Sequence, residues 1–248
     1  MVRAPNSSSS WRREWLSLCD TGRRALWRAV EAQHRVATMR LVDTIEEQAI
    51  LESLLDGSKH AVPSNAQNSH WLIATPFRYI TPQESRFRRA SNPGIWYGAE
   101  ERETAAAEVG YWRWRFFVES AGLGKNSLHV ELTFFQAIFE GMELDLTKSP
   151  WTELRSDWRD PDSYAACHAL ADAVRAGGRG GAPPIQGIRY ESARRERGVC
   201  MAVFEPRALS LLKPEVIQTW TCKITRDRVL LVHDDSRFQF DFPSNSEG

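Results

Sequence analysis

Thr75-Pro-Phe-Arg-Tyr79, Ser85-Arg-Phe-Arg-Arg89, Trp96-Tyr-Gly-Ala99 and Glu103-Thr-Ala-Ala-Ala-Glu108 follow one another in a single stretch that concentrates arginines, hydroxyls, aromatic rings and carboxylates. Around them the pattern predicts strands over Trp71–Ile80 and Ile95–Ala99, and a helix over Arg102–Glu119, a glycine-poor run with Ala105, Ala106 and Ala107.

On the N-terminal side, Arg24 to Asp56 is without proline or glycine, and Val30, Ala37, Leu41, Ile45, Leu51, Leu54 and Leu55 recur at helical spacing, which predicts helix. Thr44-Ile-Glu-Glu47 fits a capping box, in which a hydroxyl and a carboxylate each satisfy an orphan backbone N–H, and so predicts a break near Asp43. Asp56-Gly57 supplies the stop. The polar stretch Gly57–Ser69, with Pro63, reads as a linker. The expected organisation is therefore residues 1–65 as a disordered lead-in and helical extension, and residues 66–248 as the main domain.

On the C-terminal side, Leu128–Ile138 and Met142–Leu146 read as strands, and a helix begins at Pro161-Asp-Ser163 and stops at Gly177-Gly178. Further strands are expected at Ile185–Tyr190, Val199–Phe204, Val216–Ile224, Val229–His233 and Phe238–Phe242, with a turn at Thr225–Arg228. Strands outnumber helices without alternating as βαβ units would, which predicts an α+β fold with a mixed sheet. The Gly177–Gly181 tract lacks the Lys-Ser/Thr of a phosphate loop and follows no strand, so it reads as a helix exit.

The 32 Lys+Arg balance the 32 Asp+Glu, leaving no global positive field to hold nucleic acid by its phosphates. Cys19, Cys167, Cys200 and Cys222 are too scattered for a zinc knuckle or a redox dithiol and read as thiols in a reducing cytosol. The six histidines show no paired ligand spacing, so no metal is expected. Arg12, Arg13 and Glu14 stand where a signal peptide needs an apolar run, and no stretch of about 18 residues is apolar enough to span a membrane, so the expectation is a cytoplasmic protein.

The four motifs, together with Tyr190-Glu-Ser-Ala-Arg194 ahead of the strand at Val199–Phe204, resemble the RES domain family, named for arginine, glutamate and serine. The resemblance covers about residues 71–206 and is specific because five short motifs occur in order. Val30-Glu-Ala-Gln33 and Leu41-Val-Asp43 are similar to the N-terminal extension of longer members. The resemblance implies an ADP-ribosyltransferase-like core, a toxin of a toxin–antitoxin pair that consumes NAD, and an Xre-type antitoxin through which alone nucleic acid would be contacted. It implies Glu108, Arg78 and Tyr97 as catalytic residues, and Arg78, Tyr79, Ser85, Arg86, Tyr97 and Ser192 as contacts to NAD.

Cleaving the nicotinamide–ribose bond passes through an oxocarbenium-like ribose, which calls for negative charge near the sugar. Glu108 supplies that charge on this reading, although a glutamate on a helix face is ordinarily only solvated. Arg78 offers paired donors to a diphosphate, with Arg86 as a second cation; Tyr97 offers a stacking face, and Ser192 a hydroxyl for a phosphate or ribose. Tyr79 and Ser85 either touch NAD or support the two arginines. Tyr111-Trp-Arg-Trp-Arg-Phe-Phe117 mixes rings and cations as a single-strand binder does, but Tyr111, Trp114 and Val118 share a helical face and are expected to pack inward or against a partner. Two other classes compete: a protein-binding module without activity, and an Arg/Trp-based nucleic-acid binder.

Overall fold

Leu128–Ile138 and Met142–Leu146, which read as two strands, are one: β3 runs through Leu128–Asp145. Gly141 sits between them because a side chain there would collide with the Gln186 amide, whose oxygen accepts the Met142 N–H at 3.1 Å. The structure, a computed structural model, describes residues 11–32, 41–58, 60–120, 122, 127–177, 184–211 and 217–243. The Met1–Ser10 lead-in, Ala37, Val216 and most of the Gly177–Gly181 tract lie outside the described residues.

Both edges of β3 are paired. On one, β1 (Asp20–Glu31) lies antiparallel from Asp20 opposite Glu143 to Glu31 opposite Leu132. On the other, β7 (Gln218–Ile224), β6 (Leu209–Leu211) and β4 (Gly187–Glu191) take successive parts, β4 alone running parallel. Next to β4 lies β5 (Val199–Val203), then β2 (Trp96–Ala99), which returns to β1 through Trp27 opposite Ala99. The pairings β1–β2–β5–β4–β3–β1 thus close a circuit, and β8 (Arg228–His233) and β9 (Ser236–Asp241) extend the sheet beyond β7. With helices α1 (Ile45–Ser58), α2 (Trp71–Arg78), α3 (Arg102–Glu119), α4 (Arg155–Arg159) and α5 (Ala165–Ala176), this is the expected α+β class with a mixed sheet. No helix among the described residues is long and apolar enough to cross a membrane.

Two expectations are corrected. Arg24–Glu31 is strand rather than helix: β3 offers a long unpaired edge, and pairing along all of β1 outweighs a local preference worth only tenths of a kcal/mol per residue. Helix begins at Ile45, behind the capping box, where the Glu47 N–H donates to the Thr44 hydroxyl at 3.1 Å and the Thr44 N–H to the Glu47 carboxylate at 3.3 Å. The expected helical extension is therefore part strand, and β1 pairs with β3 across the boundary drawn near residue 65. The second correction is Trp71–Ile80, which folds as α2. His70 caps it by accepting the Leu72 N–H, and Leu72, Ile73, Ala74 and Phe77 are buried. Pro76 falls in the last turn of that short helix.

Apolar side chains bury on both sides of the circuit. Leu26, Ile73, Phe77, Trp96, Phe135 and Phe139 pack under α2; on the other side Phe117, Phe134, Trp158, Leu170 and Trp220 pack under α3 and α5. An ionic knot ties the strands where the circuit closes. Arg189 donates to both Glu100 oxygens (2.7 and 3.0 Å), to both Asp145 oxygens (3.2 Å) and to Thr147 (2.5 Å), and Arg24 donates to Glu143 at 2.5 Å. Gly22 leaves room for that Glu143 carboxylate, with which any side chain would collide.

Burial opposes the Asp145 charge, but the Thr147 hydroxyl and N–H and the Arg189 cation outweigh it and hold the carboxyl below its ordinary 3.8. Its folded value is depressed, so its stabilisation is complete above the ordinary value and is lost as pH falls through the depressed one. Urea unfolding should show Arg189→Met destabilised by about 3 kcal/mol at neutral pH, because two carboxylates lose their cation. Asp145→Asn should flatten the loss of stability that the wild type shows below about pH 4.

Candidate active site

The side of the sheet under α3 carries a cavity of about 410 Å³, walled by β1, β2, β4 and β5 and by the loop at Ser85–Arg88. α3 brings Glu108 to it. Ala105, Ala106 and Ala107 are buried just before, small enough for the helix to sit close to the strands, so Glu108 is half-buried rather than solvated.

The Glu108 carboxylate is fixed by residues far away in sequence. Ser192, wholly buried after β4, donates its hydroxyl proton to Oε1 at 2.6 Å, and the same hydroxyl oxygen accepts the N–H groups of Arg194 (3.0 Å) and Arg195 (3.1 Å). Its proton and both lone pairs are thereby committed. Ser192 does not line the cavity; it aims the residue that does. Cys200 on β5 donates to the same oxygen at 3.7 Å, and burial followed by the Glu108 charge pushes its thiol well up, so it remains a protonated donor. Oε2 has no hydrogen-bond partner among the described residues.

Tyr97 on β2 presents its ring to the cavity and uses its hydroxyl elsewhere. That oxygen is 2.9 Å from the Ser85 hydroxyl and accepts the Phe87 N–H at 3.1 Å, which pins the loop to the strand. Burial pushes the phenol up to about 12. His168 on α5 holds the same loop through Nε2, 2.9 Å from the Ser85 carbonyl. Arg86 lines the cavity with its guanidinium 4.9 Å from the Tyr164 ring centre, and donates to the carbonyls of Trp158 (2.7 Å) and Asp160 (2.9 Å).

Of the sequence candidates, Glu108, Tyr97, Ser85 and Arg86 share the cavity and Ser192 stands behind it. Arg78 and Tyr79 are not brought there. They end α2, where Arg78 Nε donates to the His60 carbonyl and the Tyr79 ring meets His60 edge-on. Three arginines that line the cavity, Arg28, Arg113 and Arg194, were not among those candidates, and Arg28 lies on the strand expected as helix. Its Nη1 donates to the Tyr97 carbonyl at 2.7 Å and its guanidinium lies 5.3 Å from the Trp96 ring centre. Its buried Nε has no partner, no carboxylate pairs with it among the described residues, and burial lowers it to about 10. Trp112 and Phe116 line the cavity from α3 while still 42% and 54% exposed, which puts them at its mouth. Trp114 packs on Phe242 as expected, but Val118 is exposed and Phe117 takes the buried position.

The cavity thus holds an arginine with no ion pair among the described residues and a carboxylate with one oxygen uncommitted. The chain belongs to the RES domain family, which matches residues 62–225. A solved structure, "Crystal structure of the M.tuberculosis MbcT-MbcA toxin-antitoxin complex", aligns with 86% of this chain and 92% of that chain at 13% identity and a TM-score of 0.46. No curated protein matches the chain. Arg28 precedes the family-matched residues, so part of the cavity wall comes from outside them.

Replacing Tyr97 by Phe keeps the ring in the wall and deletes the hydroxyl that joins β2 to the Ser85–Arg88 loop. Chemical denaturation should show a loss of about 1–2 kcal/mol, since Ser85 and the Phe87 N–H lose a buried partner.

Proposed function

We propose that this chain is the toxin of a toxin–antitoxin pair and cleaves NAD at the nicotinamide–ribose bond. The observation that carries the reading is the held carboxylate: Glu108, with Oε1 fixed by Ser192 and Oε2 uncommitted, in a cavity that also holds Arg28, Arg86 and the Tyr97 ring. As the bond from ribose C1′ to nicotinamide breaks, its electron pair leaves with the nicotinamide nitrogen and positive charge spreads over C1′ and the ring oxygen. Oε2 of Glu108 accepts a ribose hydroxyl and stabilises that charge. Because Ser192 and Cys200 already orient the carboxylate, little reorganisation accompanies the step.

Arg28 takes the anionic part of the substrate. A partly buried guanidinium without a carboxylate partner is costly, and a diphosphate relieves that cost while accepting paired hydrogen bonds. This assigns to Arg28 the role that the sequence motifs gave to Arg78. Tyr97 walls the nicotinamide or ribose with its ring, and Arg86 adds a second positive charge. The acceptor that attacks C1′ is water, inorganic phosphate or a protein side chain, and mass spectrometry of the products identifies it. The partner is an Xre-type antitoxin, as the family resemblance implies, and Trp112 and Phe116 give it apolar surface at the mouth of the cavity.

Nicotinamide release from NAD is the deciding assay, since neither a protein-binding module nor a nucleic-acid binder would produce it. Glu108→Gln keeps an oxygen to accept from Ser192 and Cys200, so folding should survive while turnover falls about a hundredfold or more. Glu103→Gln, which removes only a surface ion pair with Arg195, is the matched control and should keep turnover. Near wild-type turnover in Glu108→Gln removes the carboxylate mechanism.

Arg28→Lys should raise the KM for NAD about tenfold, because an ammonium cannot reproduce a planar fork. Arg78→Lys, outside the cavity, should leave the kinetics unchanged. The reverse pattern would return the diphosphate role to Arg78.

A further inference from the structure

A second cavity, of about 390 Å³, lies on the outer side of α3. Its walls are Ala107 and Tyr111 of α3, Ala193 and Arg194 after β4, and the segment Gln239–Phe242 at the end of β9. Arg194 also lines the first cavity, so the two share one side chain at their junction.

That junction is cationic. The Arg194 guanidinium stands 3.4 Å from the centre of the Tyr111 ring and makes no ion pair among the described residues; its one side-chain hydrogen bond there is a long one, 3.5 Å to the Pro161 carbonyl. Its backbone is held by Ser192, the residue that fixes Glu108, so the junction and the carboxylate are set by one turn. Beyond it the second cavity is aromatic: Tyr111, Phe240 and Phe242 supply the rings, with Phe242 stacked on Trp114 at 4.5 Å. Gly110 of α3 faces Phe240 and Val229, at a spacing where a Cβ would make ordinary contact. One amide projects into the setting. Gln239 uses its Nε2 on both oxygens of Asp241 (3.1 Å each), which orients the side chain and leaves Oε1 as an acceptor.

We infer that the second cavity receives the adenosine half of NAD, with Arg194 under the diphosphate where it crosses from one cavity to the other. This rests on the NAD reading of the first cavity. A planar base packs against the aromatic wall beside Phe240, the diphosphate meets a guanidinium without a counter-ion, and the exocyclic amine of adenine donates to Gln239 Oε1. The segment responsible, β9, follows the family-matched residues 62–225, so the subsite is an addition of this chain's own C-terminal strand.

The test compares NAD with nicotinamide mononucleotide, which lacks the adenosine half, in nicotinamide-release assays. Calorimetry with AMP reads the second cavity independently of cleavage. The expectation is that wild type binds AMP, and that Gln239→Ala raises the KM for NAD about tenfold relative to that for the mononucleotide. Arg194→Gln should weaken NAD and AMP together. Arg237→Gln lies on the same strand but lines neither cavity, and should keep the wild-type ratio of the two KM values. Phe242→Leu, a milder change than truncation, should weaken AMP binding and keeps the test open if another variant is unstable. Failure of wild type to bind AMP, or an unchanged KM ratio in Gln239→Ala with circular dichroism intact, would overturn the inference. If neither nicotinamide compound is cleaved but AMP binds in a Gln239-dependent way, the cleavage reading fails and the nucleoside subsite stands.

Discussion

The antiparallel pairing of β1 with β3 is the contact on which the rest depends. It runs the full length of β1, closes the circuit of five strands through Trp27 and Ala99, and carries Arg28 into the cavity wall. Without it the β2 edge would be open, and Trp96, on which the Arg28 guanidinium rests, would lose part of its cover. The ionic knot of Arg24, Glu143, Arg189, Glu100 and Asp145 stands at the same closure, joining β1, β3 and β4 to the end of β2. An interaction between segments a hundred residues apart is entropically costly to form, and here it is secured by backbone pairing and by buried charges with mutual partners.

The site is organised by a division of labour between groups that are satisfied and groups that are not. The hydroxyls of Ser192 and Tyr97 and Nε2 of His168 are engaged with the protein and hold Glu108 and the Ser85–Arg88 loop. Arg28, with a buried unpaired Nε, and Glu108, with Oε2 uncommitted among the described residues, both line the cavity. Buried nitrogens without a partner among the described residues also occur on Trp11, Trp96, Trp151 and Arg175, but of all these residues only Arg28 lines the cavity. The serine of the RES motif stands behind the cavity, and the glutamate lines it.

Both ends of the chain outside the family-matched stretch contribute to the same region. β1 brings Arg28 and Trp27 from one end; β9 brings Gln239 and Phe240 from the other. α3 is common to both cavities, offering Glu108 to one and Ala107 and Tyr111 to the other, successive residues of a helix pointing to different sides of it.

The sequence alone determined the features that depend on neighbours along the chain. α3, β2, the capping box before α1, the turn at Thr225–Arg228 and the strands that follow are local patterns, and the motif spacing singled out Glu108, Tyr97, Ser85, Arg86 and Ser192. Tertiary structure alone decided the features set by distant pairing. β1 is a strand because β3 needs a partner, not because of its own composition. α2 is a helix because its apolar residues cover Trp96 and Phe139 from one side. Arg28 replaces Arg78 in the cavity because the circuit places it there, while Arg78 is turned towards His60. Local propensities are worth tenths of a kcal/mol per residue, and the burial and pairing that overrule them come from residues the linear pattern does not bring together.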